Sequence, residues 1–577
     1  MIAWWAAAPA ASGPAGDSME FGLLRPRTWP PVLWAILAAA LVLRLPGLTY
    51  GLPSLFYHHD EPQIVLRALR FGTGDLNPHS FRWPGTWHME LMFLAYAGLF
   101  VAGRLTGAWP GAAAFAAQYF KDPTVFYVLG RVVSLALGLA TVPLAFGMAG
   151  RAAGRRAAPW AAALLAVNWL HADLSRVTVP SVPMLFWVAL ALYGMALPGP
   201  ARAGRSLGIG VACGLAAACL YYGGWALLAW SGVLAARAPG GWRTRLRAAL
   251  GRPTLLAAAG AVGAFLASCP WALLDARAFL HDLRFVDAQY AAWQGATPRA
   301  LLPVVNVYQV TCLVLPELLG WPAWLLAVWG AVRLWRAGSA WGRGVLLLGA
   351  GFGLLLVASR FQMPRYALPL LPVTCVFAGA ALAALPARPR WALLLGWLAL
   401  GWCLRDSVEV GVDRTRPDTR ELAKAWVETH LPPGSRLVVD ALHHRNTFTA
   451  PLDLTPGNIR ERLARLSDRA SPYGSEEAYR LYYEYLLMHP GPHPYDQEWT
   501  EAAERVRSLA EYRRLGFRYA MVSSMVYEGF HHHGEWEDNP PGRFYGGLER
   551  GARLVAQFRG ERFLHPGPTI RIYDLRP

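Results

Sequence analysis

Residues 91–103 read LMFLAYAGLFVAG, a run apolar enough to pass for a membrane span and short enough to lie along one. Each crossing reverses the side on which the chain emerges, so this run decides the topology of everything after it. Eleven other apolar runs approach the roughly 20 residues needed to cross the hydrocarbon. They lie near 31–47, 124–148, 158–172, 181–197, 207–221, 224–237, 254–273, 319–335, 344–358, 366–383 and 391–405. Between them stand arginine clusters at Arg25/Arg27, Arg151/Arg155/Arg156, Arg202/Arg205, 237–252, Arg333/Arg336/Arg343 and Arg388/Arg390. Cytoplasmic loops carry the excess of basic residues. All these clusters share the cytoplasmic side only if 91–103 does not cross and instead lies along, or dips into, the outer face.

That assignment predicts a polytopic α-helical membrane protein of about 11 transmembrane helices. It has a cytoplasmic segment 1–30, a membrane module 31–405 with a large first outer loop 48–123, and an extracytoplasmic domain 406–577. Ten acids of the membrane module (Asp60, Glu61, Asp75, Glu90, Asp122, Asp173, Asp275, Asp282, Asp287 and Glu317) then fall outside, and only Asp17 and Glu20 fall inside. Three further outer elements follow, at 171–181 (HADLSRVTVPS), 274–318 and 359–366 (SRFQMPRY). Residues 1–30 lack the basic start of a signal peptide, and Met1 and Met19 are both possible starts.

The composition agrees with this class. The chain has 577 residues, 55% hydrophobic and only 16% charged, against about a quarter charged in soluble domains. The net charge of +17 does not point to nucleic acid, because of where it sits. Residues 406–577 hold 23 Lys and Arg against 25 Asp and Glu, a net of −2, which leaves 31 basic against 12 acidic residues before them, a net of +19. The excess is topology-setting loop charge. The six cysteines lie in or beside apolar runs without CxxC spacing, which argues for neither disulfides nor zinc. In the polar tail the pattern predicts a helix over 418–431 and strands at 436–440, 517–524, 552–558 and 569–575, a small α/β domain.

Two adjacent acids stand out after the first span, in YHHDEP (57–62). Asp60 has the features of a helix N-cap: acid and proline follow in the first turn, and Gly72 stands at the end. The apolar residues Ile64, Val65, Ala68 and Leu69 alternate with Arg67 and Arg70. Such a helix lies on a membrane surface and aims Asp60 and Glu61 at the interface, where a carboxylate can take a hydroxyl proton or hold a metal. The nearby His58, His59, His79 and His88 do not form a zinc-type spacing, and HHH at 531–533 reads as a solvated loop.

The loop YHHDEPQIVLRALRFGTGDLNPHSFRWPG (57–85) resembles the first outer loop of bacterial relatives of the protein O-mannosyltransferases, glycosyltransferase family 39, of the GT-C fold. The likeness continues in DPTVFYVLGRVVSLALGLATVPLAF (122–146), MPRYALPLLP (363–372) and DTRELAKAWVETHLPPGSRLVVD (418–440), and so covers most of the chain. It implies an inverting glycosyltransferase of the bacterial inner membrane. The enzyme would move a sugar from a polyprenyl-phosphate donor to a hydroxyl of a protein, lipid or glycan at the outer face. By the same resemblance Asp60 is the general base and Glu61 its support. The leaving phosphate calls for guanidinium, whose planar fork fits its oxygens. Arg365 and Arg284 are the candidates, with Tyr366 and His59 as helpers. Where the family commonly has an acid in its second outer loop this chain has Ser181, with Asp173 eight residues earlier. Where one branch has an acid before paired prolines this chain has Trp83, which weakens the case for a divalent metal and leaves it as an alternative to a reaction without cofactor. The competing class is a non-catalytic transporter or envelope-assembly scaffold. A transporter places ionisable groups near the bilayer midplane within inverted repeats, whereas these acids gather in loops and no repeat is visible.

Overall fold

The computed structural model describes residues 26–53, 60–82, 85–293, 302–358, 364–385, 391–441, 448–467, 476–500, 506–532, 540–561 and 565–576. The chain divides into two compact units. One holds Arg67–Leu99 and Val128–Val410 together with the chain up to Leu48; the other holds Thr49–Leu66, Phe100–Tyr127 and Gly411–Pro577. Segments at both ends of the first loop therefore fold with the tail.

The first unit is built of apolar helices, and each of the eleven apolar runs is mainly helical where it is described, with breaks such as those at 167–168, 269–270 and Gly320. Thr124–Ala152, Trp242–Ser268, Ala340–Val357 and Pro364–Ala384 are each long and apolar enough to cross a membrane. Val304–Leu319 and Trp321–Arg336 pass together but are bent by 109° at Gly320, where φ is +78°. Pro31–Arg44, Ala157–Ala166, Ser181–Ala196 and Ala203–Cys219 are shorter apolar helices. The surface of this unit carries Trp34, Val42, Leu255, Leu325, Leu354 and Trp397 exposed. An apolar exterior around helices that satisfy their own backbone is what lipid requires, so the protein is an integral membrane protein. The run 91–103 lies inside one helix, Thr86–Leu105.

Small residues set the closest helix crossings. Ala203–Cys219 and Arg252–Ser268 touch through Gly210 and Gly214, where an added Cβ would stand 1.9 Å from the Ala257 carbonyl oxygen and 2.2 Å from that of Ala261. Lipid is as apolar as leucine, so dispersion at close backbone approach is what holds such a pair. The same logic puts Gly330 of Trp321–Arg336 against the Phe377 backbone, 1.8 Å from where its Cβ would be.

In the second unit the tail forms a five-stranded mixed sheet. Its strands are β1 (Arg436–Val439), β2 (Asp496–Trp499), β3 (Tyr519–Ser523), β4 (Arg553–Phe558) and β5 (Ile570–Asp574), in the order β2-β1-β3-β5-β4. β1 runs parallel to β2 and β3, while β5 runs antiparallel to β3 and β4. Side chains alternate across a strand, and both faces are covered. Leu437, Val439, Met521, Ile570 and Ile572 pack with Ala423 and Val427 of the helix Thr419–His430. Val438, Ala520, Val522 and Tyr573 pack with Phe544, Tyr545 and Leu548 of Pro540–Gly551. The four expected strands and the expected helix are present; β2 is additional.

Asp440, directly after β1, is fully buried. It accepts hydrogen bonds from the Ser523 amide (2.9 Å), Thr500 Oγ1 (3.0 Å) and the Tyr545 hydroxyl (2.8 Å). Burial pushes its carboxyl up to about 6, against the pull of those donors. A carboxyl whose folded value is raised keeps its proton while the unfolded chain ionises. Stability is therefore lost as pH rises from about 4 through about 6. The Tyr545 hydroxyl favours the ionised form, so Tyr545→Phe is expected to lower the thermal midpoint of the full chain more at pH 7 than at pH 4. Melts followed by intrinsic fluorescence across that range check this; a deficit independent of pH would show that Asp440 does not titrate there.

Candidate active site

Asp60 sits at the N-cap position of the helix Glu61–Arg70 and is half-buried, its backbone carbonyl accepting the Gln63 amide at 3.2 Å. The carboxylates lie where the unsatisfied amides of a first turn favour negative charge. Glu61 is only 2% exposed, whereas Asp60 reaches solvent, so the two acids have different surroundings although they are neighbours in sequence. Ile64, Val65 and Ala68 form the buried stripe. Two expectations about this helix are corrected. Arg67 is buried rather than on a polar face, and its Nε donates to the Pro78 carbonyl at 3.1 Å. The helix continues into a 3₁₀ turn, Phe71–Thr73, and ends at Gly74 rather than Gly72; Gly74 takes φ +93°, a conformation that glycine adopts without Cβ strain.

After this turn lies a cluster the sequence reading missed. Asp75 accepts from Arg70 Nη2 at 2.9 Å and from the Asn77 amide at 3.0 Å, and its Oδ2 lies 2.8 Å from His79 Nε2. Burial works against charge on Asp75, yet the hydrogen bonds from His79 and the Asn77 amide and the charges of His79 and Arg70 hold its carboxyl below the usual range. His79 has φ +51°, in the left-handed region that histidine visits more often than most residues. The signal available in the sequence was the spacing of Asp75 and His79 around a proline. Asn77 Nδ2 donates to Asp275 at 3.3 Å, the Phe81 amide donates to Asp282 at 2.7 Å, and Phe81 meets the Phe279 ring edge-on at 5.6 Å. Asp275 and Asp282 therefore anchor the first loop onto the helix Ala276–Trp293.

Arg284 is exposed on that same helix. Arg365 and Tyr366 are half-buried on the 3₁₀ segment Pro364–Leu370. The guanidinium of Arg365 lies 5.8 Å from the Tyr366 ring centroid, and Tyr366 packs edge-on to Tyr222 at 6.1 Å. These three residues belong to the first unit and Asp60 and Glu61 to the second. His58, His59 and Trp83 lie outside the described residues. Ser181 is buried as the first residue of Ser181–Ala196. Asp173 pairs with Arg176 at 3.6 Å. Its neighbour His171, fully buried, lies with Nδ1 2.9 Å from Arg44 Nη2, a polar staple between the end of Pro31–Arg44 and the short helix Trp169–Leu174. A cavity of about 430 Å³ in the same unit is lined by Trp87, Glu90, Val211, Gly260 and Ser268, and by none of Arg284, Arg365 and Tyr366. Among the described residues no three His, Cys, Asp or Glu side chains are grouped to hold a metal ion.

No protein-family model and no curated protein matches the chain. Among solved structures it is similar to ArnT from Cupriavidus metallidurans bound to undecaprenyl phosphate, at 14% identity and TM-score 0.49, covering 94% of this chain and 97% of that one. It is also similar to the oligosaccharyltransferase AglB from Archaeoglobus fulgidus in complex with an inhibitory peptide and a dolichol-phosphate, at 13% identity and TM-score 0.46, covering 91% of this chain and 72% of that one. The arabinofuranosyltransferase AftD from Mycobacteria is matched at 16% identity and TM-score 0.37, covering 94% of this chain and 41% of that one.

Proposed function

We propose that this protein is an inverting glycosyltransferase of the GT-C fold. It moves a sugar from a polyprenyl-phosphate donor to a hydroxyl acceptor at the outer face of a bacterial inner membrane. The observation that carries this reading is Asp60: a half-buried carboxylate at the start of the helix Glu61–Arg70, in a loop that resembles the first outer loop of the family 39 enzymes. In the reaction Asp60 takes the acceptor hydroxyl's proton as that oxygen attacks the anomeric carbon. The bond from the anomeric carbon to the phosphate oxygen breaks, and polyprenyl phosphate leaves with the electron pair. Glu61, set into the protein, supports the helix start. Arg365, or failing it Arg284, neutralises the departing phosphate. Guanidinium is suited to that because its charge and fork act where negative charge develops.

The test is incubation of the purified protein with a panel of polyprenyl-phosphate sugars and hydroxyl acceptors, followed by mass spectrometry. The expected result is free polyprenyl phosphate appearing together with a glycosylated acceptor for one donor. A chain that releases lipid phosphate from none of them is not a transferase of this class, and the scaffold reading takes its place.

A further inference from the structure

We infer that a hydrogen bond from Tyr50 to Asp418 is the clamp by which the tail holds the first loop in position for catalysis. The catalytic part of this rests on the transferase reading of Asp60. Asp418 is fully buried and caps the helix Thr419–His430. Three donors come from Arg420, the amide, Nε and Nη2, each at 2.8 Å. A fourth is the Tyr50 hydroxyl at 2.5 Å, from 368 residues earlier in the chain. The guanidinium of Arg414 lies over the Tyr50 ring at 4.7 Å.

The receiving end is built to stay put. The Thr419 amide donates to the Pro566 carbonyl at 2.9 Å and Thr419 Oγ1 to that of Pro568 at 2.6 Å. Between these prolines Gly567 has φ +112°, and a Cβ on it would stand 2.5 Å from both Asp418 Oδ1 and Thr419 Oγ1. The cap is thus seated on the loop leading into β5. Arg420 already neutralises the Asp418 carboxylate through two side-chain hydrogen bonds, a geometry that adds direction as well as strength. The Tyr50 hydroxyl is therefore not needed to offset a buried charge; what it adds is position. A tyrosine has two rotatable side-chain bonds, so fixing its tip fixes the backbone that carries it at low entropic cost. That backbone lies ten residues before Asp60 and in the same unit. A second tether holds the far end of the loop, where Phe120 stacks on Tyr485 at 5.6 Å.

The test compares the wild-type chain with Tyr50→Phe, which keeps the ring under Arg414 and removes only the hydroxyl, with Asp418→Asn and with the double variant. Two readouts are taken on the full-length protein in lipid nanodiscs: amide hydrogen exchange of peptides spanning 49–66, and kcat with donor KM separately. A hydrogen bond to a charged partner is worth roughly a ten- to hundredfold change in an equilibrium. Tyr50→Phe is expected to speed exchange in 49–66 by about that factor and to lower kcat about tenfold with donor KM unchanged. The double variant is expected to be no worse than the worse single one. Unchanged exchange in Tyr50→Phe overturns the clamp, and raised exchange with unchanged kcat overturns its positioning role. Should Asp418→Asn fail to fold, Tyr50→Phe alone decides. A wild-type chain that transfers no sugar overturns the transferase reading and the catalytic part with it, while exchange still decides the tether.

Discussion

Asparagine in place of Asp60 is expected to lower turnover by about 10²–10⁴-fold, the range a positioned general base supplies, while leaving membrane insertion and melting behaviour intact. The two effects separate because Asp60 has two jobs. One is its place at the N-cap position of Glu61–Arg70, where asparagine serves about as well as aspartate. In the proposed reaction it contributes basicity, which an amide lacks. The control is Glu61→Gln. Glu61 is buried where Asp60 is half-exposed, so its loss is expected to show first in the melting midpoint. The measurement is single-turnover transfer at saturating donor beside thermal melts of the same preparations. Near-normal turnover in Asp60→Asn would reduce Asp60 to a helix cap and remove the foundation of the proposed mechanism.

The second large effect concerns Arg365. If its guanidinium holds the donor phosphate, Arg365→Lys is not conservative. Lysine keeps the charge but loses both the planar fork and the stacking available over Tyr366, whose ring centroid lies 5.8 Å from the guanidinium carbon. The expected loss in kcat/KM is roughly 10- to 100-fold, about 1–3 kcal/mol, the scale of a charge-assisted hydrogen bond. Arg365→Ala is expected to lose at least as much, because alanine removes the charge too. An interfacial anchor behaves differently: its headgroup contacts tolerate lysine well, and neither variant changes the chemical step. Steady-state kinetics over a range of donor concentrations distinguish the two. Near wild-type kcat/KM in both variants would transfer the phosphate role to Arg284, which is exposed on Ala276–Trp293.

Much of the architecture was legible because it follows from local periodicity. Apolar runs of membrane length have no alternative to helix in lipid, where each backbone group must find its partner within the segment. The alternating tail strands show the side-chain period of two. Asp418 before Thr419 was readable as the start of a helix. β2 was not readable, because DQEW (496–499) has no apolar alternation. It is an edge strand, held by parallel pairing with β1 and by the buried Gln497, whose side-chain amide donates to the Asp453 carbonyl at 3.0 Å. Arg67 was misread for a related reason. A charged residue in an amphipathic pattern reads as solvated, but its stem can lie along apolar surface while its head finds a carbonyl, here that of Pro78.

The sequence by itself determined the class of the protein, the helical identity of its apolar runs, the α/β character of the tail and the pair of acids on which a mechanism can be built. Only the tertiary structure decided what surrounds those acids and what holds their loop. It set Glu61 into the protein and left Asp60 near solvent. It gathered Arg70, Asp75 and His79 into one hydrogen-bonded cluster, and it joined Tyr50 to Asp418. The physical reason is range. Periodicity, capping and loop charge act over a few residues or through the bilayer and leave their record in the order of residues. A hydrogen bond between residues 368 apart depends on two surfaces meeting, and a single sequence carries no local sign of which carboxylate a distant hydroxyl will find.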